Sequence, residues 1–175
     1  MSGNDPLAGA QVILIDTNVI IEAVRTGCWN ALTGTGNVET VEECRDESLR
    51  GDATRRGYIP VSQTDLNRLA KVHPVSEVER ATFALTYSDA GSMDDGERDL
   101  FAHTLGRAQN GDERWLFTSP DKASVRAAVK MGWGDRLCSL GGLIRRIGSN
   151  PRNPLAEHHG EKWLQAQRTH FTLIG

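Results

Sequence analysis

The chain has 175 residues and a formal net charge of −3 at pH 7, with 38% apolar and 25% charged residues. This length provides one domain with a proper core, the composition is that of an ordinary globular protein, and no apolar run approaches the roughly 20 residues of a membrane span. The N-terminus lacks the basic start and apolar core of a secretory signal, so we expect a cytoplasmic protein. The net charge gives no signature of nucleic-acid binding, which would depend on local patches or a metal ion.

The cysteine pattern agrees with a reducing compartment. Cys28, Cys44 and Cys138 are an odd, scattered set without C-x-x-C spacing. Such a set is typical of reduced thiols rather than of a disulfide frame or a zinc site.

The first predicted element is a buried strand at Val12–Ile15, because this unbroken run of β-formers is short and ends at once in polar residues. Asp16 and Asn18 are helix-capping residues, and apolar residues at helical spacing follow from Val19. Asp16 is therefore predicted at the carboxyl end of a central parallel strand, the edge where open α/β sheets bind ligands.

Short apolar runs and helical patterns alternate along the rest of the chain. Further strands are predicted at Val38, at 58–61 on a sheet edge because of Pro60, at Trp115–Thr118 and at 136–138. Helices are predicted from a Thr40–Glu43 capping box, and at 62–70, 76–87, 94–108, 121–129 and 139–147.

This alternation predicts an α/β fold: a single domain with a central parallel β-sheet flanked by helices on both faces. We expect a flexible lead at 1–10, the domain at 11–148 and a C-terminal extension at 149–175. In that extension, His158 and His159 are interpreted as part of a solvated tail, since no outer ligands at metal-site spacing accompany them.

Four acidic residues mark predicted starts of helices, namely Asp16, Glu43, Glu97 and Asp121. Each of them alone is explained by helix capping and the helix dipole. Because strand-to-helix turns of a parallel sheet lie along its carboxyl edge, the four carboxylates are also expected to converge in space.

The position of Glu97 on its predicted helix strengthens the expectation that this residue belongs to a site. It falls on the face of Leu100, Phe101 and Leu105, whereas Asp99 points to the opposite side and is expected to face solvent. A carboxylate on a core-facing stripe is costly unless a cation pairs with it. A Lys or Arg partner would serve, and so would a hard divalent ion such as Mg²⁺ or Mn²⁺ bound through oxygen.

Four segments in order resemble the motifs of the VapC-like PIN-domain ribonucleases, and the resemblance extends to about residue 148. They are Ile15-Asp16-Thr17-Asn18-Val19-Ile20, Thr40-Val41-Glu42-Glu43-Cys44, Met93-Asp94-Asp95-Gly96-Glu97 and Leu116-Phe117-Thr118-Ser119-Pro120-Asp121-Lys122. The resemblance implies that Asp16, Glu43, Glu97 and Asp121 hold one or two Mg²⁺ or Mn²⁺ ions, with Asn18 and Thr118 as polar support.

The sequence departs from the family pattern in two places. Many members carry Asp at the position of Glu97, and Glu42, Glu43 and Glu47 compete for the second acid; Glu43 is chosen because it lies early in its helix. The roles of Asp94 and Asp99 stay open. The resemblance implies hydrolysis of RNA to 5′-phosphate and 3′-hydroxyl ends, a toxin blocked by a protein antitoxin, and a homodimer as one assembly.

Two other functions compete with this hypothesis. One is a catalytically silent PIN-like module that binds nucleic acid or acts as a scaffold, although a scaffold has no need to bury Glu97. The other is a phosphotransfer enzyme with Asp16 as nucleophile, but haloacid-dehalogenase-like enzymes typically carry a second Asp where Asn18 stands.

Overall fold

Four short strands, all parallel, form the central sheet: β1 (Val12–Ile15), β2 (Val38–Val41), β3 (Lys71–His73) and β4 (Trp115–Thr118). The structure is a computed structural model and describes residues 11–51 and 53–174. The strand order is β3-β2-β1-β4. The predicted lead at 1–10 lies outside the described residues.

Nine α-helices are present in the described part of the chain. They are α1 (Thr17–Arg25), α2 (Trp29–Thr33), α3 (Glu42–Leu49), α4 (Gln63–Leu66), α5 (Glu77–Thr86), α6 (Asp95–Gln109), α7 (Lys122–Lys130), α8 (Leu140–Arg146) and α9 (Glu161–Ile174). Over residues 11–51 and 53–174, none of them combines the length and apolarity needed to cross a bilayer.

The central strand contributes to a hydrophobic core on each face of the sheet. Leu14 belongs to a cluster with Phe101, Trp115 and Phe117, while Ile13 and Ile15 belong to a second cluster. All three β1 side chains are almost fully buried, as alternation of side chains across a two-sided sheet requires. The predicted fold class, an α/β domain with a parallel sheet covered on both faces, is confirmed.

The strand order creates a topological switch point between β1 and β4. From β1 the chain adds β2 and then β3 on one side, and later returns to place β4 on the other side. Crevices at such points, outside the carboxyl ends of the strands, are the usual ligand sites of open α/β sheets. Here the two strands are followed by Asp16 and by Ser119.

Four predicted elements differ from the observed ones, and the first of them is the helix predicted at 62–70, which ends at Leu66. Residues 58–61 are not a strand: the edge strand is β3, as Pro60 lacks an N–H for a ladder. At 136–138 only Leu137 forms a single bridge, to Phe117. β2 extends through Thr40, whose hydroxyl donates to the Ile15 carbonyl oxygen (2.6 Å) instead of capping a helix.

The C-terminal extension packs on the rest of the fold. Leu164 of α9 is buried in one core cluster, and the Arg152 N–H donates to the Thr26 carbonyl oxygen (2.8 Å). The interpretation of His158-His159 as a solvated tail is wrong for His159, which is only 4% exposed; His158 is exposed. The apolar side chains of α9 hold the segment in place. The domain boundary at residue 148 stays a prediction.

Candidate active site

Asp16 lies at the centre of the switch point. It is 2% exposed and caps α1, its Oδ1 accepting from the Val19 N–H (2.9 Å). Its Oδ2 accepts from the Ser119 hydroxyl (2.6 Å) at the end of β4. Burial raises the pKa of Asp16 to about 7, these two hydrogen bonds oppose the shift, and the nearby charges of Asp94 and Asp121 add to it.

Ser119 links the two strands of the switch point. Its hydroxyl bonds Asp16, and its oxygen also accepts from the Asp121 N–H (3.3 Å). Asp121 caps α7 by accepting from the Ala123 N–H (2.7 Å). The sequence reasoning missed Ser119, although its place two residues before a helix-capping aspartate was a usable signal.

Glu97 faces the core, as predicted from helical phase. It is 6% exposed, and its Oε1 accepts from the Ser124 hydroxyl of α7 (2.7 Å). Burial raises the pKa of Glu97 to about 8; the Ser124 hydrogen bond opposes the shift, while the charges of Asp121, Asp94 and Asp16 reinforce it. Both deeply buried acids therefore retain a proton more strongly than ordinary carboxyl groups.

A third contact connects α3 to the start of α6. The Glu47 carboxylate accepts from the Thr17 hydroxyl (2.6 Å) and from the Gly96 N–H (3.1 Å). A Cβ atom at residue 96 would lie 2.4 Å from Glu47 Oε2, so only glycine permits this approach. Burial raises the pKa of Glu47; the Thr17 hydrogen bond opposes this, and the charge of Asp94 adds to it.

Asp94 is the acid that joins these groups electrostatically. It caps α6, accepting from the Glu97 N–H (2.8 Å), and its charge raises the pKa of Asp16, Glu47 and Glu97. The sequence alone does not assign a role to Asp94. We define the acidic cluster as Asp16, Glu47, Asp94, Glu97 and Asp121.

The structure places Glu43 at the rim of this cluster. Its carboxylate pairs with Arg50 (2.9 Å), and it lines a cavity of about 560 Å³ together with Arg80 of α5 and Arg98 of α6. Its charge contributes to the raised pKa of Glu47. Of the three competing glutamates, Glu47 is thus the one held against α1 and α6.

Asp99 does not face solvent, and that prediction is wrong. It is 5% exposed and receives two hydrogen bonds from the Arg80 guanidinium, each 2.7 Å. Helix α5 packs on this side of α6, which gives α6 a second buried face. The charge of the Asp99 carboxylate is compensated by Arg80. An arginine partner of this kind is the alternative to a metal ion.

The two predicted polar supports point elsewhere. Asn18 is exposed, and the Thr118 hydroxyl lies 2.9 Å from the Cys138 sulfur. Their neighbours Thr17 and Ser119 contact the acids instead.

The acidic cluster has donors suited to a hard divalent ion, since every member is a carboxylate and several raise one another's pKa. Across residues 11–51 and 53–174, however, no three His, Cys, Asp or Glu side chains are already arranged to hold an ion. Asp16, Asp94 and Asp121 instead cap helices, and Asp16, Glu47 and Glu97 accept from hydroxyl groups. Ion binding would require some of these bonds to open and protons to leave.

No protein-family model matches the chain, and no curated protein and no solved structure matches it significantly.

Proposed function

We propose that the protein is a Mg²⁺- or Mn²⁺-dependent endoribonuclease of PIN type that hydrolyses RNA phosphodiester bonds. The observation that supports this most is the burial of Asp16 and Glu97 at the switch point among three further carboxylates. Buried acids that repel one another are costly unless a cation compensates them or they keep a proton. Asp99 shows how this fold compensates a carboxylate with arginine, and no described lysine or arginine pairs in that way with Asp16 or Glu97.

In this proposal Asp16 and Asp121, which follow β1 and β4, are the residues that would hold the ion. Glu97 and Glu47 complete or orient the set, and Ser119 and Ser124 fix the carboxyl groups that they bond. A bound divalent ion supplies charge stabilisation at the scissile phosphate and lowers the pKa of a bound water. Asp94 keeps the start of α6 in position through its cap.

The same proposal includes the substrate, the partner and the assembly of the protein. A cytoplasmic RNA is the substrate, a protein antitoxin is the partner that blocks the site, and a homodimer is one assembly. The silent-module alternative is supported by the arrangement of the acidic cluster, in which no three side chains of the described residues are already placed to hold an ion. The phosphotransfer alternative is disfavoured because both oxygens of Asp16 are hydrogen-bonded and the side chain is buried.

Cleavage of RNA tests the proposed function. Purified protein is expected to cut single-stranded or structured RNA with Mg²⁺ or Mn²⁺ and to be inactive in EDTA, because the carboxylates require the ion to act on a phosphate. End analysis by gel electrophoresis should show 5′-phosphate and 3′-hydroxyl products. Cleavage that persists in EDTA, or products with cyclic phosphates, would contradict the proposal.

A pair of substitutions one helical turn apart identifies the second acid. Glu47→Gln is expected to weaken Mn²⁺ binding about tenfold or more, whereas Glu43→Gln should change it little, because Glu47 contacts α1 and α6 while Glu43 pairs with Arg50. Calorimetric titration of both variants measures this. The opposite order would return Glu43 to the site.

A further inference from the structure

A second polar feature lies beside the acidic cluster, in a groove of about 340 Å³ between α8 and α9. Arg145 and Arg146, from the last turn of α8, and Arg168 of α9 line this groove. Arg145 and Arg146 are exposed, and neither forms an ion pair within the described ranges 11–51 and 53–174. We call this feature the α8–α9 groove.

The acids of the groove are already engaged by other groups. Glu161 accepts from the Ser139 hydroxyl (2.7 Å) and from the Gln165 amide (2.8 Å). Asp135 is fully exposed and pairs with Arg168 (3.0 Å). The groove thus contains three guanidinium groups and two carboxylates, so its cations outnumber its acids by one. Arg168 pairs directly with Asp135, whereas Arg145 and Arg146 act on Glu161 only through their charges.

The charges of this groove are close enough to act on one another. Partial burial raises the pKa of Glu161, but the hydrogen bonds from Ser139 and Gln165 and the charges of Arg145 and Arg146 outweigh it and leave that pKa lowered. Basic residues in a last helical turn are explained in general by the helix dipole. Arg168 of α9 lies outside that helix, and its ion pair with Asp135 accounts for its place in the groove.

The groove adjoins the acidic cluster through β4. Cys138 lines the groove, and its sulfur lies 2.9 Å from the Thr118 hydroxyl at the end of that strand. The next residue, Ser119, donates to Asp16. The groove and Asp16 therefore lie on opposite sides of β4, which pairs with β1 on one edge and bridges to Leu137 on the other.

We propose that the α8–α9 groove binds the phosphate groups of single-stranded RNA flanking the bond that is cut. This inference rests on the proposed function, because it gives that substrate a second contact. Five carboxylates repel phosphates, so affinity for a polyanion has to come from a neighbouring basic surface. Guanidinium groups suit this role, since their fork of donors matches phosphate oxygens.

Binding of a fluorescein-labelled 12-nucleotide single-stranded RNA, measured by anisotropy over a range of KCl concentrations, tests the groove. All proteins carry Asp16→Asn so that the RNA stays intact. The double substitution Arg145→Gln/Arg146→Gln is expected to weaken binding about tenfold and to reduce the salt-dependence slope by roughly 1.4, or about 0.7 for each lost phosphate contact. Each single substitution should give about half of the change in slope.

The matched control is Arg55→Gln/Arg56→Gln, which removes the same charge from two adjacent, exposed arginines in another loop. It should leave the slope unchanged. An equal loss of RNA affinity in this control would mean that binding depends only on overall charge, which would contradict the proposed site. Unchanged RNA binding by the Arg145→Gln/Arg146→Gln variant would also overturn the proposal that the α8–α9 groove binds RNA.

The experiments distinguish an error in the groove inference from an error in the proposed nuclease function. If the wild type cleaves RNA with Mn²⁺ but Arg145 and Arg146 do not affect binding, the groove inference is wrong and the nuclease stands. If no RNA is cleaved but binding depends on these arginines, the groove stands as a polynucleotide site and the nuclease proposal falls.

Discussion

Asp16→Asn is expected to reduce Mn²⁺-dependent RNA cleavage by roughly a hundredfold or more, since loss of an outer group around a metal already costs about 10 to 100-fold. The substitution removes the charge that would hold the ion. Asparagine keeps the shape and still caps a helix, so α1 should remain intact. Initial rates of cleavage of a defined RNA measure the effect.

Ser119→Ala is the matched control for Asp16→Asn. It removes the hydroxyl that orients Asp16 but leaves the charge, so cleavage should fall by less than in Asp16→Asn. Turnover at the wild-type rate by Asp16→Asn would remove Asp16 from the site. Equal losses in the two variants would mean that Asp16 acts mainly through its orientation.

Glu97→Gln is expected to flatten the pH dependence of stability in the metal-free protein. A carboxyl group whose pKa is raised on folding binds more protons in the folded state, so the free energy of unfolding falls as pH rises between its unfolded and folded pKa. For Glu97 this window extends from 4.5 to about 8. Between pH 6.5 and 8 the loss from Glu97 amounts to about 1–2 kcal/mol, and the variant should lack it.

The pH range above 6.5 is chosen to separate the effect of the buried acids on stability from that of the buried histidines. Burial lowers the pKa of both His103 and His159 to about 4, so they make the protein more stable as pH rises, mainly below their unfolded pKa of 6.5. The smaller part of this gain that falls above pH 6.5 is common to the wild type and to Glu97→Gln. Urea unfolding at pH 6.5, 7.25 and 8 in EDTA is the measurement. Asp16, with a pKa of about 7, should leave a residual slope in Glu97→Gln.

Asp99→Asn provides the control for the pH experiment. It breaks the hydrogen-bonded pair with Arg80 and should lower stability at every pH in the window, without changing the slope. A Glu97→Gln protein with the same slope as the wild type would show that Glu97 is ionised in the folded state at neutral pH.

Local patterns predicted the part of the site that depends on single elements. The Val12–Ile15 run and the capping residues after it determine where Asp16 lies, because strand, turn and helix start are contiguous. The burial of Glu97 followed from its spacing to Leu100 and Phe101 on one helix. Both predictions needed only the period of a helix or strand.

The period of a helix or strand could not predict contacts between elements that are far apart in the sequence. Asp99 is buried because α5 packs across α6, and its partner Arg80 is nineteen residues away. Glu47 reaches α6 only because Gly96 leaves room for its carboxylate. Glu43 and Glu47 stand one turn apart on α3, so spacing alone puts both on one side. The choice between them depends on tertiary packing.

The packing of the C-terminal extension was not predicted, for a related reason. Its start is rich in Pro and Asn and reads as a loop, while α9 has few apolar residues. Leu164 nevertheless fills a space beside α7 that no local pattern reveals, and the Ala156 N–H donates to Glu22 on α1 (2.7 Å).

The most direct test of the metal proposal is calorimetric titration of the wild type and Asp16→Asn with Mn²⁺ at pH 7, repeated in two buffers of different ionisation enthalpy. Because the pKa values of Asp16 and Glu97 are raised to about 7 and about 8, ion binding should release protons, and the measured heat should change with the buffer. The wild type is expected to bind Mn²⁺ with this proton release, and Asp16→Asn to bind at least tenfold more weakly. A wild type that binds no Mn²⁺ between pH 6.5 and 8.5, or a variant that binds it equally well, would contradict the assignment of these acids to a metal centre.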